Sequence, residues 1–178
     1  MTAAFEVRRA TAADVDMIAR HRAEMFSAMG LLPRPLYDAM VAATRQYLAE
    51  AMPAGEYLGW LGTPVDAPAE IVGGAGLLRR RVPPHPQSGP EAISLAEGRQ
   101  GIVLNVYTEP AWRRRGVAEL LMRHILAWAA EAGLDTLVLH ASAEGRPLYE
   151  RLGFVATNEM RYAGALSPDS SRSRTRTR

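Results

Sequence analysis

The strongest indication of the fold lies at residues 108–121, which read TEPAWRRRGVAELL. This stretch passes from the end of an apolar run through a proline break and three arginines to one glycine, after which a helix-periodic segment begins. The first N–H groups of a helix have no partner within it, and the aligned peptide dipoles place about half a positive charge at that end. Gly116 lets the backbone approach a ligand closely, and the arginines add planar guanidinium groups suited to phosphate oxygens. This stretch therefore predicts an anion-binding site.

The sequence on both sides of this turn predicts a strand, helix, strand unit. Residues 101–108 are apolar enough for a strand. Behind the turn, side chains recur at i, i+3, i+4, i+7, i+8 and i+11, which is typical of a helix that packs one face against a core. The members of this stripe are Val117, Leu120, Leu121, His124, Ile125 and Trp128. Residues 134–139 predict a central strand buried on both faces, parallel to the first and joined to it by a right-handed crossover.

The remaining segments predict a mixed α/β chain. Alternation and capping signals predict a strand at 5–10, helices at 12–29 and 36–51, and strands at 56–61 and 71–78. Residues 73–76 read GGAG, and no helix pattern follows them, so they indicate a bulge or a close backbone approach within a strand and not a dinucleotide-binding loop. Residues 82–98, rich in proline and glycine, predict a long loop. A short helix at 144–152 and closing strands at 154–156 and 160–163 complete the prediction.

The composition limits the class of protein. The chain has 178 residues, a net charge of +2 and no cysteine, which excludes disulfides and a thiolate nucleophile. One domain over residues 1–166 is expected, followed by a disordered tail of serine and arginine at 167–178. The four histidines show no metal-ligand spacing, so no metal is expected. No apolar run approaches the roughly 20 residues of a membrane span and no signal-peptide layout is present, so a cytoplasmic protein without membrane association is expected.

Two segments resemble the signatures of the GNAT superfamily of N-acetyltransferases, in the family's order and separated by a helix and a strand. The first, Gln or Arg, two residues, Gly, one residue, then Gly or Ala, is met by Arg113, Gly116 and Ala118, after Pro110 and Trp112. The second, Leu-Tyr-x-x-x-Gly-Phe, is met by Leu148, Tyr149, Gly153 and Phe154. The resemblance is close over residues 101–154.

The resemblance implies a fold and a donor site. The implied GNAT fold is α/β (α+β), with a mixed, mostly antiparallel sheet of about six to seven strands, a splayed parallel pair at the cofactor site and about four helices. The implied acyl donor is acetyl-CoA, held without a metal. Its pantetheine arm and thioester are expected against the backbone of Val106, Tyr107 and Thr108. Its pyrophosphate is expected on the N–H groups of Arg114, Arg115, Gly116, Val117, Ala118 and Glu119, with the Arg113 side chain beside them.

Two side chains complete the implied site. Ser142 stands where the family often has asparagine, and its hydroxyl is expected to reach the pantetheine with fewer hydrogen bonds. Tyr149 resembles the general acid that meets the departing thiolate. With a phenol pKa near 10 and a thiol pKa near 8.5, full proton donation is uphill by about 2 kcal/mol, so a hydrogen bond to the thiolate describes its role better.

The implied acceptor is the primary amine of a small molecule, a protein N-terminus or a lysine, attacking the thioester directly. A free alkyl amine has a pKa near 10.4, so only about one molecule in a thousand is neutral at pH 7. The glutamate that some family members carry on the strand is absent from residues 101–108. Glu109, Glu24, or a water relayed by Asn105 or Tyr107 all stay open as the base.

Other functions are weighed against this one. An acyl-CoA-binding sensor without efficient turnover is the alternative, and the retained Tyr149 counts against it. Nucleic-acid binding through the tail at 167–178 is disfavoured, because its four arginines lack interleaved aromatic residues. Family members often pair through their sheets, which leaves a homodimer open. The acceptor is expected to be set by residues 25–37 and 82–98.

Overall fold

The fold is known from a computed structural model, which describes residues 4–88, 93–157, 159, 160 and 162. Its strands are β1 (Phe5–Arg9), β2 (Tyr57–Pro64), β3 (Gly73–Arg81), β4 (His85–Ser88), β5 (Ile93–Ala96), β6 (Arg99–Thr108) and β7 (Thr136–Leu139). Its helices are α1 (Val15–Ala28), α2 (Tyr37–Ala51), α3 (Val117–Glu131) and α4 (Arg146–Arg151). Five strands form one sheet in the order β1-β2-β3-β6-β7, and β4 and β5 form a hairpin. All paired strands are antiparallel except β6 and β7, which confirms the predicted mixed α/β fold.

The sheet separates two apolar clusters. The cluster on the α3 face contains buried residues of α3 and of three strands; it includes Trp60, Val72, Leu77, Val103, Val117, Leu121, Met122 and Ile125. The cluster on the opposite face joins α1 and α2 to β2; it includes Ile18, Leu48, Ala51, Tyr57 and Leu61. Each helix layer thus buries its apolar stripe against one face of the sheet, as an α/β protein requires. None of the helices in the described part of the chain is long and apolar enough to cross a membrane.

The glycines of β3 bring α3 close to the sheet. A Cβ on Gly73 would lie 2.9 Å from a methyl carbon of Val117 and 2.8 Å from the Tyr107 carbonyl oxygen. A larger residue at position 73 would therefore push the first turn of α3 away from the strand. The prediction that residues 73–76 mark a close approach within a strand is confirmed.

Strand β6 carries a bulge in its second half. Its register with β3 shifts between Gly74 and Gly76, and Asn105 adopts a φ of 56°. The bulge turns two consecutive side chains toward α1 and α2, since Leu104 packs against that cluster and Asn105 contacts Tyr57. Beyond the bulge, Val106 faces the α3 cluster. The bulge therefore sets which side chains of β6 face each helix layer.

Four predictions about elements are corrected. Residues 82–98 include the hairpin of β4 and β5, although 89–92 lie outside the described residues. Within the described residues β7 is an edge strand and only half-buried, whereas a central strand was predicted. Residues 154–156 form no strand. His124 is exposed, and Met122 takes its place in the core. Residues 163–178, with the predicted tail, lie outside the described part.

Candidate active site

The turn before α3 contains two residues with a left-handed backbone. Pro110–Trp112 form one 3-10 turn, and Arg114 (φ 61°) and Gly116 (φ 89°) follow it. Gly116 is the N-cap of α3, and a Cβ there would meet no atom within 4 Å. Glycine is therefore favoured here by the backbone conformation and not by crowding, and the space beside the turn is open.

The N–H groups of this turn are free to bind a ligand. Leu120 donates the first hydrogen bond of α3, to the Gly116 carbonyl at 3.0 Å. Across the described residues, no N–H group of positions 114–119 donates to a backbone carbonyl. These donors converge on the positive end of the α3 dipole, which is an arrangement that binds phosphate groups.

The three arginines are exposed beside these donors. Arg113 donates from Nε to the Thr108 carbonyl at 3.2 Å. The Arg115 guanidinium lies 5.0 Å from the centre of the Trp112 ring. Trp112 in turn donates its indole N–H to the Glu70 carboxylate at 2.9 Å. The positive charge at the turn is therefore held in place by the end of β6 and by an anchored aromatic ring.

The strand that leads into the turn has one open edge. β6 pairs with β7 only from Gln100 to Val103. From there to Thr108, no strand within the described residues pairs with this edge of β6. The predicted parallel pair is thus present, and its pairing ends where β7 ends. On its other edge β6 stays paired with β3 through Tyr107 and Thr108. The backbone groups of the open edge are available to an extended ligand that adds alongside the strand.

Tyr149 packs against the apolar cluster on the α3 face of the sheet. Its ring meets Phe154 edge to face at 6.1 Å between centroids, and both rings pack against the cluster that contains Val117. Burial raises the pKa of the Tyr149 hydroxyl. The ring also lies over Gly145, whose N–H donates to the Ser142 hydroxyl oxygen at 3.1 Å. The Ser142 oxygen is therefore engaged in the turn before α4, while its proton is still available to a ligand.

A cluster of charged and aromatic side chains lies on the opposite face of β6, just beyond its end. The Glu109 Oε1 atom accepts a hydrogen bond from Arg20 and lies 3.3 Å from His21 Nε2, without hydrogen-bond geometry to the latter. The Glu109 Oε2 atom lies 3.5 Å from the Tyr107 hydroxyl. The His21 ring is 5.0 Å from the Tyr107 ring between centroids. Helix α1 and the end of β6 are thus joined through one carboxylate.

The electrostatics of this cluster fix its charges at neutral pH. Burial raises the pKa of Glu109, but the hydrogen bond and charge of Arg20 outweigh that effect, so the pKa is lowered overall and the group is a carboxylate. His21 is 2% exposed, and burial together with the charge of Arg20 lowers its pKa to about 4. Burial and the charge of Glu109 raise the pKa of Tyr107. The cluster therefore presents a carboxylate beside a neutral imidazole and a neutral phenol.

The other two predicted candidates, Glu24 and Asn105, form hydrogen bonds with residues outside this cluster. Glu24 accepts a hydrogen bond of 2.7 Å from the Tyr37 hydroxyl. Asn105 is 4% exposed; its Oδ1 accepts from Arg22, and its Nδ2 donates to the Tyr57 hydroxyl at 3.2 Å. Of the four candidates, Glu109 and Tyr107 are in direct contact. Glu24 makes no hydrogen bond to them in the described residues, but its charge raises the pKa of Tyr107.

A groove of about 430 Å³ opens between α1 and α2 next to this cluster. Its lining residues are Asp16, Met17, Arg20, Tyr37, Asp38, Val41 and Arg45. Arg20 belongs both to the groove and to the pair with Glu109. No sequence pattern pointed to Arg20 or His21, since the residues they contact are far along the chain. No group of three His, Asp or Glu residues within the described residues could hold a metal ion.

The fold is of the α/β class, and comparisons with known proteins show that the protein is an acyltransferase. The sequence matches the Acetyltransferase (GNAT) family over residues 21–154. A GCN5-related N-acetyltransferase from Ralstonia eutropha JMP134 is 33% identical, with a TM-score of 0.76 over 89% of this chain and 97% of that chain. A predicted acetyltransferase from Clostridium acetobutylicum, solved with acetyl-CoA, is 22% identical, with a TM-score of 0.72 over 90% and 96% of the two chains.

A more distant structure has the same fold. The ribosomal-protein-alanine N-acetyltransferase from Brucella melitensis biovar Abortus 2308 is 20% identical, with a TM-score of 0.65 over 92% of this chain and 100% of that chain. No protein of curated function matches the sequence. The family match covers more than half of the chain, so the protein belongs to the GNAT family of acetyltransferases.

Proposed function

We propose that the protein transfers the acetyl group of acetyl-CoA to the primary amine of a small molecule or a protein. The observation that carries this proposal is the free N–H groups of residues 114–119, which adjoin the open edge of β6. A diphosphate ester fits the first feature, and an extended amide-containing arm fits the second. The Clostridium acetobutylicum structure contains acetyl-CoA and has the same fold, which supports the choice of donor.

The donor is bound by backbone groups and by exposed arginines. The N–H groups of Arg114 to Glu119 hold the pyrophosphate, and the guanidinium groups of Arg113 to Arg115 neutralise its charge. The backbone of Val106 to Thr108 pairs with the pantetheine arm, and the free proton of the Ser142 hydroxyl is donated to the same arm. When bound, acetyl-CoA supplies an activated thioester carbonyl.

Tyr149 acts on the leaving group. Because burial raises the pKa of Tyr149, its hydroxyl is a weaker acid than a free phenol and stays protonated at neutral pH. It stabilises the departing thiolate by a hydrogen bond, and complete proton transfer follows once the amine nitrogen has a proton to lose.

An acceptor screen tests the proposal. Purified protein is incubated with acetyl-CoA and one of four probes: spermidine, glucosamine, L-lysine or a peptide with an N-terminal alanine. The proposal expects release of free CoA at least tenfold faster with one of these amines than without any amine. Calorimetry with acetyl-CoA is run in parallel. Tight acetyl-CoA binding without release stimulated by any amine would favour the sensor function instead.

A further inference from the structure

We propose that Glu109 is the group that meets the acceptor amine, where its carboxylate stabilises the positive charge that forms on nitrogen during attack, and that Arg20 and His21 position it. This inference rests on the proposed function and names the acceptor side of the same site. It assigns a catalytic role to Glu109 and supporting roles to two α1 side chains.

The two carboxylate oxygens of Glu109 differ: Oε1 is bound by a side chain of the protein, and Oε2 is available to a ligand. Oε1 accepts a hydrogen bond from Arg20 and lies 3.3 Å from His21 Nε2, so α1 holds it through Arg20 and places the imidazole beside it. Among the described residues, the Tyr107 hydroxyl, at 3.5 Å, is the only hydrogen-bond partner of Oε2. The side chain is 22% exposed, which leaves room for a ligand to approach. Its backbone is fixed as well, because the Glu109 N–H donates to the Val72 carbonyl at 2.9 Å.

The position of Glu109 matches the position of the thioester in the proposed function. Glu109 directly follows Thr108, the last residue of the open edge of β6. The donor carbonyl is proposed to lie along that edge, and the groove between α1 and α2 adjoins Glu109 through Arg20. We place the path of the amine from this groove past Arg20, which holds Oε1, to the other carboxylate oxygen and the proposed thioester position.

The charge state of Glu109 decides between two roles. Proton transfer from an alkyl ammonium of pKa near 10.4 to a carboxylate of ordinary pKa near 4.3 is unfavourable by a factor of about a million. The pKa of Glu109 is lowered further, which makes the carboxylate a still weaker base. A carboxylate that cannot take the proton can nevertheless stabilise a cation that develops beside it.

The reaction step balances without a further reactant. The lone pair of the neutral amine attacks the thioester carbonyl carbon, so the N–C bond forms and nitrogen becomes positively charged beside Glu109. The C–S bond then breaks and sulfur leaves as thiolate, hydrogen-bonded by the Tyr149 hydroxyl. One N–H proton passes to the sulfur by way of that hydroxyl, which gives the neutral amide and the free thiol.

In this proposal, His21 lies in the core and positions the Glu109 carboxylate. At 2% exposure it cannot contact a substrate, and neither of its ring nitrogens has a hydrogen-bond partner in the described part of the chain. A small movement of Glu109 would bring Nε2 into hydrogen-bond geometry with Oε1. We therefore treat His21 as a positioning residue for the loaded enzyme.

The decisive experiment compares Glu109→Gln with Glu50→Gln, an exposed residue of α2 outside the site. The probe is whichever of the four amines the wild type acetylates fastest. We expect Glu109→Gln to lower kcat about 100-fold, with the Kd of acetyl-CoA and the amine-independent thioester hydrolysis changed less than twofold. Glu50→Gln is expected to match the wild type. A Glu109→Gln enzyme with more than half of the wild-type kcat would overturn the inference, as would a larger loss in Glu24→Gln.

A second pair of variants tests the positioning role. His21→Gln keeps an N–H donor, whereas His21→Leu has none, so we expect the leucine variant to lose about tenfold in kcat and the glutamine variant to regain most of it. Thermal unfolding confirms that both variants fold. Equal kcat values in the two folded variants would remove His21 from the inference. If the wild type shows no amine-dependent CoA release, the proposed function fails; if the wild type is active and Glu109→Gln equals it, only this inference fails.

Discussion

The donor side and the acceptor side of the proposed reaction centre are built from different parts of the chain. The donor side uses backbone groups: the N–H groups of residues 114–119 and the open edge of β6. The acceptor side uses side chains, and its central pair joins Arg20 to Glu109 across 89 positions of sequence. A backbone site is specified by neighbouring residues, whereas a side-chain site exists only once the sheet has brought distant segments together. The donor side is therefore the half that a sequence reveals.

The largest expected effect tests the donor side at Gly116. Gly116→Glu forces a side chain onto a φ of 89° and places a carboxylate against the pyrophosphate, so we expect acetyl-CoA binding to weaken at least 100-fold, or by about 3 kcal/mol. The measurement is isothermal titration calorimetry. Gly30→Glu is the matched control, because Gly30 has a φ of 70° and equally open space around it. Unchanged binding in Gly116→Glu would show that the turn does not hold the donor.

The next largest effect is expected at Tyr149, the proposed hydrogen-bond donor to the leaving thiolate. Tyr149→Phe removes the hydroxyl but keeps the ring packed on Phe154, so we expect kcat to fall about 30-fold while the Kd of acetyl-CoA changes less than twofold. Steady-state kinetics and calorimetry separate the two quantities. A matched Tyr162→Phe change, at an exposed tyrosine, is expected to leave both unchanged. Wild-type turnover in Tyr149→Phe would remove the hydroxyl from the mechanism.

The acceptor side predicts a pH dependence of stability. His21 has a folded pKa of about 4 against an ordinary value of 6.5, so the unfolded chain binds a proton more readily than the folded one. The stability that the neutral imidazole contributes is fully present above pH 6.5 and is lost as the pH falls toward 4, up to about 3 kcal/mol. Urea unfolding at pH 7 and pH 5 measures this loss.

A comparison of variants assigns that loss to one residue. His21→Gln is expected to lose less stability than the wild type between pH 7 and pH 5, whereas His124→Gln, at an exposed position, is expected to follow the wild type. If His21→Gln loses as much stability as the wild type over this range, the histidine is not the titrating group.

The smallest effect concerns Ser142. Its oxygen already accepts the Gly145 N–H at 3.1 Å, so Ser142→Ala is expected to change the Kd of acetyl-CoA no more than about threefold, or about 0.7 kcal/mol. Ser94→Ala in the β4–β5 hairpin is the control. A loss above tenfold for Ser142→Ala alone would show that the hydroxyl is a principal donor contact.

The sequence predicted the donor side, which is built from backbone groups, better than the acceptor side, which is built from side chains. The strand, turn and helix around Gly116 could be predicted because proline, glycine and apolar periodicity specify backbone conformation locally. The stripe of α3 was displaced at one edge, where His124 is exposed and Met122 is buried. Periodicity gives the width of an apolar stripe, but the neighbouring elements decide which of its edges is covered. The roles of Arg20 and His21 could not be read, because their partners come from another part of the fold.

The β4–β5 hairpin was missed for a related reason. Ile93 and Leu95 are 75% and 74% exposed, so the strand buries no alternate face that the sequence could display. Its partner contains Pro86 and Gln87, which belong to no apolar pattern. Strands that do not contribute to a core have no period-2 pattern by which to be recognised.

The bulge at Asn105 makes β6 a strand of two independent halves. Up to Val103 the strand is paired on both sides and belongs to the framework of the sheet. Past the bulge, the proposed function assigns the open edge to the donor and the side chains that face α1 to the acceptor. On this proposal, we expect substitutions on α1 and α2 to alter acceptor choice without disturbing the backbone of the proposed donor site. Because the donor and the acceptor would contact different groups of this strand, relatives that bind the same donor could evolve to accept different amines.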